Sequence, residues 1–357
     1  MTDPGTLTAA YEKWIGAQIP LDHAELKRKH QEMRAHEYRF LRGGYHLWLA
    51  RLAEDLPESL TGARAPVVGD LHVENFGTWR DVDQVRRWGV NDFDELAVGP
   101  VLPDLVRLAT SALLAPHFAL EEKETCAAVL EGWSQADPRY SVDLAEPGAE
   151  HLRALVPEFA DPERFYAALA EGAPAELPAP VKQAACAVAE AGWAPTWHQH
   201  QAGTGSLGHA RVVGVGPAAD GTPHAREAKQ LGPGTAAWAA SLWPDLPWPQ
   251  ADPDLYGHLR TAIRGPAAAA RVLDWHVRDL APDVVRIEAT GLGRHDSGRV
   301  LRAMARATAD VHGSSGRGSF DAAVAEVGRL GEHGFREAVR TMVARTEDDF
   351  GRYRARS

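Results

Sequence analysis

The chain has 357 residues, enough for two lobes at roughly 150 residues each, and its 45% hydrophobic and 24% charged content is that of a folded soluble protein, which excludes disorder and collagen. Its 38 Lys and Arg against 49 Asp and Glu give a formal charge of −11, which opposes binding to a nucleic-acid backbone or an anionic membrane, so neither is an expected partner. Met1-Thr2-Asp3-Pro4-Gly5 lacks the basic and apolar runs of a secretory signal, and no run of about 18 apolar residues occurs, so a cytoplasmic protein is expected.

Taken in order, residues 21–53 carry apolar positions three and four apart (Met33, Tyr38, Leu41, Tyr45, Trp48, Leu52), the spacing of amphipathic helix, with a break at Arg42-Gly43-Gly44. Two short apolar runs then end in acid: residues 65–68 meet Gly69-Asp70, and residues 87–91 meet Asp92-Phe93-Asp94-Glu95, as strands running into a site would. Helices are expected at 103–114, 120–134, 163–171 and 179–191. Cys126 and Cys186 fall in these Ala-rich stretches without C-x-x-C spacing and read as reduced core residues. From Trp193 the pattern changes to strands (197–201, 210–215, 224–231, 272–279, 284–288) separated by Gly-rich turns, and helix returns at 297–312 and 320–353. The fold class expected is α+β. Residues 1–190 form a helical lobe, 191–290 a small antiparallel-sheet lobe, and 291–357 helices that pack back on the first.

Three motifs carry chemistry. In Gly69-Asp70-Leu71-His72-Val73-Glu74-Asn75, an Asp precedes an Asn by five positions at a strand end. Phosphoryl transfer needs a carboxylate to accept a hydroxyl proton and an amide oxygen to hold magnesium, and D-x-x-x-x-N supplies both from one loop. His72 is placed to orient Asp70, to touch the acceptor, or simply to pack under the loop. A plain turn capped by Asp70 and Asn75 is the competing reading. The second motif, Asn91-Asp92-Phe93-Asp94-Glu95, offers Asp92 as a magnesium ligand, because that ion prefers oxygen donors; Asp94 is a second ligand or a helix cap. The third is a G-x-G-x-x-G at Gly203, Gly205 and Gly208, with Ser206 inside it, between two expected strands. The hairpin setting favours a loop that covers phosphates over a Rossmann turn. On the third strand Lys229 is the expected phosphate cation, with Arg226 as the alternative register.

Together these residues resemble the protein-kinase-like superfamily, in its aminoglycoside and choline phosphotransferase branch, where a G-D-L-H-x-x-N loop precedes an I-D-F-D-like strand end. Gly99-Pro100 through Leu108 is similar to that branch's helix start, which implies that Asp104 anchors the catalytic loop. More closely, Lys29 to Met33, Phe40-Leu41-Arg42-Gly43 and the two acidic loops resemble the bacterial domain-of-unknown-function family 2252. That likeness runs over most of the chain and is strongest from residue 29 to about 115. The resemblance implies a bilobal kinase-like fold; Arg42, beside two glycines, is placed to brace the acidic loop or, second, to reach phosphate. Val68 stands where the branch has a histidine, and no helix glutamate follows Lys229 at the usual distance, so Glu227, Asp252 or Asp254 would replace it. The phosphate loop follows the catalytic loop by more than 130 residues, which implies a circular permutation in which the helix ending at His312 returns to the catalytic loop through space.

The expected function is an ATP- and magnesium-dependent phosphotransferase acting on a small-molecule hydroxyl. Asp70 is its base, Asn75, Asp92 and Asp94 its metal ligands, and Lys229 with residues 203–208 its phosphate site. The acidic charge suggests a cationic acceptor. Nucleotidyl transfer by the same groups, a non-catalytic ATP-binding module, and a metal-dependent phosphoesterase built on Asp70-x-His72 are the alternatives. His198-x-His200 puts two imidazoles on one strand face, for which a structural or nucleotide-edge role is favoured over zinc.

Overall fold

A computed structural model describes residues 2–81, 83–138, 141–156, 161–187, 192–200, 208–263, 265, 269–285 and 292–356. Four helices come first: α1 (Pro4–Gly16), α2 (His23–Met33), α3 (Glu37–Gly43) and α4 (Tyr45–Asp55). Asp3 and Asp22 start two of them by accepting from the amides of Thr6 at 2.9 Å and Ala24 at 2.8 Å, which a first helical turn otherwise leaves unpaired. The expected break falls between α3 and α4. A Cβ on Gly44 would sit 2.8 Å from the Phe40 carbonyl oxygen, so the tight corner requires glycine.

Next come β1 (Arg64–Val67), β2 (Phe76–Arg80), β3 (Arg86–Val90), β4 (Ala97–Pro100), α5 (Leu102–Leu114), α6 (Glu122–Ser134), β5 (Val142–Asp143) and α7 (Glu150–Arg153). β1 pairs with β4, and β2, β3 and β5 form a second antiparallel sheet, so each acidic loop leaves the end of a strand. The sequence pattern did not announce β2 or β4.

The rest of the chain supplies α8 (Pro162–Leu169), α9 (Ala179–Ala187), β6 (Thr196–Gln199), β7 (Arg211–Pro217), β8 (Pro223–Gln230), α10 (Thr235–Leu242) and α11 (Leu255–Ala262). After these come β9 (Ala269–Val272), β10 (Trp275–Leu280), α12 (Arg294–His312) and α13 (Arg317–Arg354). The chain is thus mixed α+β, with thirteen α-helices and three antiparallel sheets among the described residues. The strand expected at 272–279 is a hairpin, turned at Leu273 with φ 54°, and Val284 and Val285 are not in a strand; residues 286–288 lie outside the described residues. Cys126 is buried as expected, but Cys186 is exposed because it sits on the outer side of α9. Gly331 breaks the helical path of α13.

The largest sheet has the order β6-β7-β8-β10-β9. Strand side chains alternate, so Ala225, Glu227 and Lys229 share one face of β8 and Arg226 and Ala228 the other. Leu169 of α8 packs with Val213 and Ala225, while Val181 and Ala185 of α9 pack with Val212, Ala228 and Val277 on the opposite face. Trp238 of α10 and Tyr256 and Leu259 of α11 instead join the large core formed by α3, α4, α5, α6, α12 and α13. Packing therefore crosses the expected boundary at residue 190 in both directions. Among the described residues no helix is long and apolar enough to cross a membrane.

Candidate functional site

The first acidic loop is fixed by one face of α5. Asp104, Arg107 and Ser111, three and four residues apart, all point at it. Asp104 accepts from the amides of Val68 at 2.7 Å and Gly69 at 3.0 Å, and Ser111 Oγ accepts from Val73 at 3.1 Å. Behind Asp104, the Trp133 indole donates to His312 Nδ1 at 3.0 Å, which leaves the ring hydrogen on Nε2 to donate to Asp104 at 3.1 Å. Gly69 turns the chain at φ +87°, and a Cβ there would meet the Glu95 backbone oxygen at 2.8 Å, so the two acidic loops touch where only glycine fits.

Arg107 is wholly buried and holds Asp70. Its Nε donates to Asp70 Oδ1 at 3.0 Å, its Nη2 donates to the same oxygen and to the Leu41 carbonyl, and its guanidinium lies 4.9 Å from the Tyr45 ring centre and 5.0 Å from that of Trp48. Among the described residues only Oδ1 of Asp70 is engaged, so Oδ2 keeps its lone pairs. Burial raises the Asp70 pKa, Arg107 works against it, and Asp92 adds to it. Asn75 accepts from the His72 amide through Oδ1 at 2.6 Å, and His72 Nδ1 accepts from the Glu74 amide at 3.1 Å. The local capping weighed for this motif is therefore present on Asn75, and one lone pair of Oδ1 remains.

The second loop joins the first where the Asn91 amide donates to the Asn75 carbonyl at 2.9 Å. Beyond it, Asp94 makes an ion pair with buried Lys229 of β8, bringing the large sheet onto the acidic loops. Glu95 accepts from Thr235 twice, from the amide at 2.8 Å and the hydroxyl at 2.5 Å, and Tyr11 donates to that hydroxyl at 3.2 Å. Burial pushes the Glu95 carboxyl up to about 7. Arg42 braces the first loop through Glu74 at 2.5 Å.

These groups enclose a pocket of about 100 Å³, lined among others by Asp70, His72, Asn75, Asp92, Asp94 and Lys229. Residues 91–94 alternate between this pocket and a larger cavity of about 740 Å³: Asn91 and Phe93 line the larger, Asp92 and Asp94 the smaller. Two buried atoms at the larger cavity, Asn91 Oδ1 and His276 Nε2, have no hydrogen-bond partner among the described residues. Burial holds His276 down to about 3, so its ring is neutral.

Six of the expected site residues thus meet in one pocket. Arg226 does not: three residues before Lys229, it falls on the other face of β8 and pairs with Asp279 at 2.6 Å. Gly203, Gly205 and Ser206 lie outside the described residues. Gly208 has φ +101°, rests against Leu26 and accepts from the Asp22 amide at 3.0 Å. The partner of Lys229 is Asp94. Glu227, named as a substitute, is spent on Arg211 at 2.8 Å and Arg278 at 3.0 Å, while Asp252 accepts from the amide of Asp254 at 2.9 Å. His198 is bound on both ring nitrogens, to Thr196 at 2.8 Å and the Gly172 carbonyl at 3.0 Å, which suits the structural role. Among the described residues no group of three or more His, Cys, Asp or Glu is set to hold a metal ion by itself. Arg107, Glu95, Tyr11 and Lys29 had not been singled out by the motifs. Arg107 had a readable signal, its place one turn after Asp104.

Residues 21–161 match the family model of an uncharacterized protein conserved in bacteria (DUF2252). The match takes in both acidic loops and α5 and ends before the five-stranded sheet that supplies Lys229. No curated protein and no solved structure matches the chain.

Proposed function

We propose that the protein is a magnesium- and ATP-dependent phosphotransferase acting on a small-molecule hydroxyl. The observation that carries this reading is the meeting of Asp70, Asn75, Asp92 and Asp94 with Lys229, a cation from a strand more than 130 residues further on, in one pocket. Its pairing of a carboxylate base with oxygen donors and a buried cation is what phosphoryl transfer requires. The donor set suits magnesium. Asp92 with Asn75 Oδ1 gives hard oxygen ligands, and the ion usually takes its remaining ligands from phosphates and water, so a three-residue protein cage is not needed. Magnesium bound there would neutralise charge on the phosphate oxygens.

The chain's own groups divide the remaining work. Asp70, gripped by Arg107 through Oδ1, offers Oδ2 to take the proton of the acceptor hydroxyl. Lys229, on the third strand of its sheet, exchanges Asp94 for nucleotide phosphate. The smaller pocket has room for little more than a phosphate group, while the larger cavity of about 740 Å³ is the size of a nucleoside site and carries the unpaired Asn91 and His276 atoms. A kinase-like arrangement of permuted order is supported by the end of α12, where His312 hydrogen-bonds the Asp104 carboxylate that holds the amides of residues 68 and 69.

Calorimetric titration with ATP tests the metal assignment. Asp92→Ala is expected to lose the magnesium-dependent part of the affinity and Lys229→Met to bind more weakly with or without the metal. Wild-type isotherms from both variants would contradict the reading.

A further inference from the structure

Lys29 of α2 faces the same pocket from the helical side and, among the described residues, makes no ion pair or hydrogen bond. Its stem runs over Gly43, where a Cβ would lie 3.6 Å from Lys29 Cε and only 2.5 Å from Met33 Cγ, so glycine lets α2 and α3 close on each other beneath it. The acids near Lys29 each have another partner, Asp70 through Oδ1 alone. Glu12 pairs with His30 at 2.5 Å, Asp70 is held by Arg107, and Glu95 takes two hydrogen bonds from Thr235. The imidazoles on this side are neutral acceptors or donors with partners of their own: His46 Nε2 donates to Thr8 Oγ1 at 2.9 Å, and His209 Nδ1 donates to the Gln230 carbonyl at 3.1 Å. Burial lowers the Lys29 pKa while the carboxylates of Glu12, Asp70 and Glu95 work against it, so a half-buried amino group sits on the pocket wall without an ion-pair partner of its own among the described residues.

We propose that Lys29 is the centre of an oxyanion subsite in this pocket that takes a phosphate group of the ligand. Which phosphate it takes rests on the phosphotransferase reading: the terminal phosphate of the nucleotide, or an anionic group on the acceptor beside the hydroxyl that reacts. In the second case the pocket recognises a phosphorylated metabolite where overall charge alone suggested a cationic one.

The test uses the full chain and two probes without nucleotide, inorganic phosphate and pyrophosphate, in chelator-treated buffer at constant ionic strength, read by calorimetry and thermal unfolding. Pyrophosphate is expected to bind the wild type, Lys29→Met to weaken it by about tenfold or more, and Lys29→Arg to restore most of the loss. Lys29→Gln serves if the methionine variant does not fold. A matching loss of Mg-ATP affinity in Lys29→Met assigns the nucleotide's phosphate, and unchanged Mg-ATP affinity with lost phosphate binding assigns the acceptor's. Binding of pyrophosphate to Lys29→Met as tight as to the wild type, or no binding to the wild type, overturns the subsite. A wild type that binds pyrophosphate through Lys29 but never binds Mg-ATP keeps the subsite and removes the phosphotransferase reading.

Discussion

Asp70 has two oxygens in two situations, and its role follows from the difference. Oδ1 is locked by a buried guanidinium and Oδ2 is left to the pocket, so the carboxylate is both oriented and available. Asp70→Asn keeps the shape and removes the proton acceptor. It is expected to lower turnover by about 10²–10⁴-fold while Mg-ATP affinity stays close to wild type, and equal losses in both would assign Asp70 to binding instead. Arg107→Met leaves that carboxylate buried without its counter-charge and should cost on the order of 3 kcal/mol in urea unfolding, most of it recovered in the Arg107→Met, Asp70→Asn double variant. The acids and Lys229 were legible in the sequence because their chemistry fixes residue type and spacing within short loops. The Asp94 partner of Lys229 was not, since the pair forms between a loop and a strand separated by over 130 residues and nothing local records it.

At the scale of elements, period-2 alternation on β8 separates two functions. Lys229 reaches the acidic loops while Glu227, two residues earlier on the same face, is 1% exposed and ties β8 to β7 and β10 through Arg211 and Arg278. Burial alone would raise the Glu227 pKa; Arg278, Arg211 and His200 outweigh it and hold the carboxyl at about 2. A carboxylate depressed in the folded state adds stability that is present above the unfolded value near 4.5 and is lost as the pH falls toward 2. Glu227→Gln should therefore be less stable than wild type at pH 7, by on the order of 3 kcal/mol, with the gap closing between pH 4.5 and 2. A gap independent of pH would mean that the buried arginines do not govern that carboxyl. Most helices were legible from their period, and α3 and α4 from the glycines between them. β2 and β4 were not: Phe76–Arg80 and Ala97–Pro100 are four- or five-residue segments with glycine inside, nearly all buried, so neither alternation nor length marks them.

For the whole molecule, the order of elements matters more than their identity. The loop that carries Asp70 is held from behind by α5 and α12, and the cation opposite comes from a sheet inserted between α9 and α12 in the chain. Four of that sheet's five strands were legible one by one, β9 being merged with β10 in the pattern; which helices pack on it was not, because the apolar faces of α8 and α10 are equally plausible partners until the sheet is folded. Lys229 on Asp94, together with Arg271 of β9 on the Phe93 carbonyl, brings two sets of elements to a single site, and on the proposed function a nucleotide with its metal would lie across it. Thermal unfolding of the full chain, run without ligand, with ATP plus chelator, and with ATP plus magnesium, tests this most directly. A ligand that binds only the folded state adds about 2.7 kcal/mol at a hundred times its Kd, so a magnesium-dependent rise of a few degrees is expected in the wild type and not in Asp92→Ala. No rise at millimolar Mg-ATP, or the same rise in Asp92→Ala, would contradict the account.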